Sequence, residues 1–97
     1  MSLPNRNLDG ALVSVKTAVA TPAAMFAGGS QLAGRTRLRM TNLSGDTRMR
    51  IGRVTANLQR DGSPVEPGDT LTIYPDSDTI IYGASEGRPI QIQIEEA

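Results

Sequence analysis

The chain contains no cysteine and no histidine among its 97 residues. That excludes disulfides, thiolate or His-ligated metal sites, cysteine nucleophiles and every Ser-His-Asp arrangement. Tryptophan is absent, and only Phe26, Tyr74 and Tyr82 are aromatic. Base-stacking platforms and aromatic sugar clefts need more than this. Lysine occurs once, at Lys16. No apolar run approaches the roughly 20 residues of a membrane-spanning helix. Residues 1–10 carry one arginine and no apolar stretch, so no signal peptide is expected there. Nucleotide-binding and zinc-protease motifs are missing as well: there is no Walker A sequence, no G-x-G-x-x-G and no H-E-x-x-H.

Period-two alternation is what the sequence has instead. Val13, Val15, Thr17 and Val19 alternate with Ser14, Lys16 and Ala18. Leu38 and Met40 alternate with arginines, as do Met49 and Ile51. Leu71 and Ile73 alternate with Thr70, Thr72 and Tyr74, and Ile90, Ile92 and Ile94 with Gln91, Gln93 and Glu95. Alternation of this kind sets one face on a core and one in water, as in an antiparallel sheet. Turn residues punctuate it: Gly28-Gly29-Ser30, Asn42 to Asp46, Asp61-Gly62-Ser63-Pro64, Pro67-Gly68-Asp69, Asp76-Ser77-Asp78 and Glu86-Gly87. The pattern predicts about seven strands, at 12–19, 35–42, 47–52, 54–58, 70–74, 79–84 and 89–95. The one helix candidate, Ala23 to Ala27, is too short to stand alone. The expected fold is an all-β antiparallel β-sandwich, Ig-like or jelly-roll-like, as a single domain over residues 12–97. Its expected core is Val13, Val15, Val19, Leu38, Met40, Ile51, Val54, Leu71, Ile73, Ile81, Ile90, Ile92 and Ile94. Residues 1–11 are polar, broken by Pro4 and Gly10, and read as an extended N-terminal arm. Leu3 and Leu8 are its candidate contacts with a neighbour.

Candidates for chemistry are few. Lys16 falls on the polar side of its strand pattern and reads as a solvated charge. Asp76 and Asp78 offer oxygens, but two carboxylates in a turn fall well short of the roughly 6–8 ligands of calcium. No metal, cofactor or catalytic residue is expected.

Charge is segregated along the chain. Residues 1–60 hold nine basic and two acidic side chains, a net of +7, and residues 61–97 hold one basic and eight acidic, a net of −7. If 35–42 and 47–52 form a hairpin, Arg35, Arg37, Arg39, Arg48 and Arg50 crowd one polar face. Like charges side by side on a sheet destabilise it, so carboxylates must compensate. They come from the C-terminal half of the same chain or from a partner across an interface, where arginine's planar fork pairs well with carboxylate. Nucleic acid is a third taker for a basic stripe, but the acidic half and the lack of aromatics count against it.

A resemblance runs through residues 12–96. Arg35 to Ser44, Arg50-Ile51-Gly52, Gly62 to Ile73, Ile81 to Ser85 and the closing Ile90 to Glu96 occur in an order similar to that of small β-sandwich proteins from tailed-bacteriophage structural gene clusters. The resemblance implies a non-enzymatic virion protein with a final exposed strand. The expected role is a capsid decoration protein on the outer surface of the head. Its partners would be the major capsid protein or another virion protein and further copies of itself, with no membrane. It would be made in the host cytoplasm and end in the virion. A tail or baseplate module binding a receptor or glycan is the alternative.

Overall fold

The computed structural model describes residues 5–6 and 11–97. In chain order the elements are β1 (Asn5–Arg6), β2 (Leu12–Ala18), β3 (Ala23–Ala24), β4 (Leu38–Asn42), β5 (Met49–Gly52), α1 (Leu58–Asp61), β6 (Ser63–Val65), β7 (Thr70–Ile73), β8 (Tyr82–Ser85) and β9 (Ile90–Glu96). They build two antiparallel sheets, ordered β1-β2-β9-β4-β7 and β3-β8-β5-β6. The fold is the expected all-β sandwich. Leu38, Met40, Ile90, Ile92 and Ile94 of the first sheet meet Met49, Ile51 and Val65 of the second in one buried cluster. Met25 and Ile81 complete it from the connections, and Leu71 and Ile73 pack against its side.

β9 lies between β2 and β4, at the centre of the larger sheet rather than exposed at its border. Its three isoleucines are the reason. Two flanking strands and the facing sheet remove them from water, which contributes roughly 1.5–3 kcal/mol for each such side chain. Asn5 and Arg6, inside the segment read as an arm, pair with Val13 and Leu12 of β2. Leu3 and Leu8 lie outside the described residues.

On β2 the observed face is the reverse of the expected one. Ser14 and Lys16 stand opposite Ile94 and Ile92 and therefore point inward. Val13 and Val15 share the outer face with Glu95 and Gln93, and Val15 and Val19 are exposed. What β2 meets inside is mostly backbone. Residues 25–30 cross beneath it, and the Ser14 hydroxyl donates to the Ala27 carbonyl. Lys16 Nζ donates to the Gly28 carbonyl at 2.7 Å. Carbonyls with no ladder partner need donors, so polar residues take the inward positions. Lys16 is thus half-buried and bonded rather than solvated.

Three further segments differ from expectation. Residues 54–58 are not a strand. Val54 is exposed, Asn57 adopts a left-handed conformation, and Leu58 opens the single turn α1. Ala23–Ala24 is extended and pairs with β8 rather than forming a helix. Ser63 and Pro64, read as the end of the turn that begins at Asp61, belong with Val65 to strand β6 at a sheet edge, where proline is tolerated.

α1 packs on the outside of the smaller sheet through Leu58, which is buried against Gly52 and Gly62. The contact at Gly62 needs glycine. A Cβ on Gly62 would lie 2.7 Å from the Leu58 carbonyl oxygen and 2.9 Å from that of Ile51. Backbone atoms cannot yield as a side-chain tip does. Gly62→Ala is therefore expected to destabilise the fold by about 1–3 kcal/mol, as overpacking does. Gly45→Ala, with open space at its Cβ position, serves as the reference in the same urea titration.

Candidate functional site

The five arginines singled out by spacing do not form one face. β4 and β5 belong to different sheets, so Arg37 and Arg39 are separated from Arg48 and Arg50 by the thickness of the sandwich. Arg35 leaves the group altogether. Residues 35–37 precede β4, and the Arg35 side chain is fully enclosed. A partner has no access to it.

Carboxylates of the C-terminal half meet all five within the chain. On the outer face of the larger sheet Arg39 stands opposite Glu95. Arg39 Nη2 donates to Glu95 Oε1 at 2.8 Å, and Arg37 Nη2 to Glu95 Oε2 at 3.0 Å. On the smaller sheet Arg48 and Arg50 converge on Glu86, with Nε–Oε2 distances of 2.6 and 2.7 Å. Arg48 also reaches Glu66 at 3.2 Å. Arg88 pairs with Asp46 across a 42-residue separation.

Glu86 carries the clearest electrostatic signature. Hydrogen bonds from Arg48 and then from Arg50 hold its carboxyl below the ordinary value of 4.5. Asp46 is lowered in the same sense, chiefly by the hydrogen bond from Arg88. A carboxyl with a lowered folded pKa binds protons first in the unfolded chain, so it stabilises the fold at pH values above its unfolded pKa. That contribution is lost as pH falls through the folded value. Melting temperature should accordingly be level near neutrality and fall below about pH 4.5. Glu86→Gln should lower the neutral plateau and flatten the acid decline, read by thermal melts between about pH 7 and pH 3.

The buried counterpart is Glu96, which spacing did not single out as a fold determinant. It lies on the inner face of β9, in register with Leu12 and Leu38, and is fully buried. Glu96 Oε1 accepts the Ala27 N–H at 2.7 Å, and Oε2 the Leu32 N–H at 3.2 Å. Arg35 Nη1 stands 3.5 Å from Oε2, and Arg35 Nη2 donates to the Thr79 carbonyl. Ala97 continues the ladder by exchanging backbone hydrogen bonds with Arg37. Together these bonds fasten the connection 25–37 and the loop at Thr79 onto the last strand. The sequence signal was present but ambiguous: Glu96 breaks the Ile-Gln alternation, which also happens at a frayed chain end.

Asn42 is a second buried polar knot. Its Nδ2 donates to the carbonyls of Thr47 and Val65, and its Oδ1 accepts the Ser44 N–H. The amide joins the β4–β5 connection to β6, with every donor and acceptor used on the inside. The acidic turn at Asp76 and Asp78 is exposed and closed by the Thr79 N–H on the Asp76 carbonyl. Among the described residues no group of three or more acidic side chains is placed to hold a metal ion. None of their helices is long and apolar enough to cross a membrane.

Where β7 borders the larger sheet and β5–β6 the smaller, a groove of about 290 Å³ opens between the sheets. Ile51, Leu71, Ile73, Pro75 and Ile81 line it, with Arg53 and Tyr74 also on its walls. No protein-family model matches this chain, and no curated protein or solved structure gives a match.

Proposed function

We propose that this chain is a non-enzymatic structural protein of a tailed-bacteriophage particle. In this reading it is a capsid decoration protein that binds the outer surface of the head beside the major capsid protein, in multiple copies. One structural observation supports it most. The charged residues that looked reactive or partner-seeking are engaged in clamps that hold β4, β5, β8 and β9 together, which favours a rigid module that works by attachment. The order of motifs over residues 12–96 supports the phage setting. Attachment in many copies compensates for a modest contact area per copy.

Particles produced from the genome that encodes the chain decide the matter. Purified heads, separated from tails, are digested and the chain is quantified against the major capsid protein by mass spectrometry. The proposal expects the chain in the head fraction at a copy number comparable to the shell subunits. Its absence from particles, or its confinement to the tail fraction, would overturn the decoration role.

A further inference from the structure

The groove between the sheets has the chemistry of a strand-docking site. β7 ends the larger sheet, so one side of its backbone has no strand partner among the described residues. An open strand edge is a template for an added strand, and alternate side chains of that strand supply specificity. Beside this edge, Leu71 and Ile73 are half-buried, and Tyr74 is left 76% exposed. Arg53 lines the same groove. Arg35, Arg37, Arg39, Arg48, Arg50, Arg60 and Arg88 are ion-paired within the chain, and Lys16 is hydrogen-bonded to Gly28. Among the described residues Arg53 has no such partner. A cation left over at the rim of an apolar groove calls for a carboxylate. Asp76 and Asp78 follow Pro75 in the chain, so a uniformly acidic ligand is disfavoured. The complementary partner is a mostly apolar extended segment with a single carboxylate.

We propose that this groove docks an extended segment of another virion protein, which adds to the free edge of β7 and seats an apolar side chain on Leu71 and Ile73. A carboxylate of that segment pairs with Arg53. The inference rests on the reading of the chain as an assembly module and names its contact surface. Tyr74 and Arg53 are residue types that dominate binding energy at interfaces.

The test uses the full chain, labelled with nitrogen-15, and two capped heptapeptides of alternating valine and threonine. One has a central glutamate and the other a central lysine. The expected result is saturable shift changes confined to residues 51–54 and 70–75, with the glutamate peptide binding at least about tenfold more tightly. That ratio corresponds to about 1.4 kcal/mol. Arg53→Glu should reverse the preference, and Tyr74→Ser should weaken both peptides. Both positions are exposed, so melting temperature should be unchanged. Absence of saturable binding at millimolar peptide, equal binding of the two peptides, or shifts elsewhere would overturn the proposal. Concentration-dependent shifts at the groove without peptide would assign it to a second copy instead and overturn it equally. A chain that is present on heads but binds neither peptide would contradict the groove alone. Absence from particles would contradict the assembly reading whatever the peptides do.

Discussion

Glu96→Ala should remove about 3–5 kcal/mol of stability, the cost of breaking a buried ion pair by deleting one partner. The Ala27 and Leu32 N–H groups lose their acceptor, and the Arg35 guanidinium stays enclosed without a countercharge. Arg35 already has Nε and Nη1 without hydrogen-bond partners, so little else is positioned to compensate. A domain of this size has about 5–15 kcal/mol in total, so a large share of it is at stake. Glu96→Gln keeps the shape and one acceptor oxygen and should fall between the parent and the alanine variant. Replacing both Arg35 and Glu96 with apolar residues removes the stranded charge but not the two stranded amides. The double variant should recover only part of the loss. Urea unfolding of the three variants checks the order, and a loss below about 1 kcal/mol for Glu96→Ala would refute the clamp.

Leu38→Ala is expected to cost about 2–5 kcal/mol. Leu38 is fully buried, in register with Glu96 on one side and Ile73 on the other. The surrounding chain is held by β-ladders on both flanks and cannot collapse into the space, which places the cost in the upper part of that range. The exposed Val15→Ala is the reference and should change stability by well under 1 kcal/mol. Equal losses at both positions would mean that the two faces have been assigned the wrong way round.

These two positions also show where the sequence is readable. Leu38, Met40, Met49, Ile51, Ile90, Ile92 and Ile94 alternate with polar residues and are buried, because each faces apolar side chains of the opposite sheet. On β2 the same rule inverts the strand, since its inner side faces carbonyls of residues 27 and 28 and selects Ser14 and Lys16. Periodicity reports which residues differ from their neighbours. It does not report what lies across from them. Val54 and Leu58 carried a strand-like spacing that belongs to a turn, because Leu58 is drawn to the space above Gly52 and Gly62.

The candidate site was legible as composition and not as geometry. Segregated charge was visible in the residue order, and the arginines and carboxylates are indeed each other's complement. Their grouping depended on a β4–β5 hairpin that does not exist, because the connection through Asn42 crosses between sheets. The groove left no sequence signal, since its walls come from residues 51 to 81 and meet only in three dimensions.

The central claim is that the basic and acidic halves of this chain are partners to each other. Glu95 is the most direct place to measure it, because Arg37 and Arg39 both bond to its nearly buried carboxylate. Urea midpoints are compared for the parent, Arg37→Gln/Arg39→Gln, Glu95→Gln and the combined triple variant. The arginine pair and the glutamate are each expected to lose stability alone, and the triple variant much less than their sum, the signature of direct coupling. Full stability without the arginines, or losses that simply add, would show that these charges are not held for the fold and would contradict the central claim.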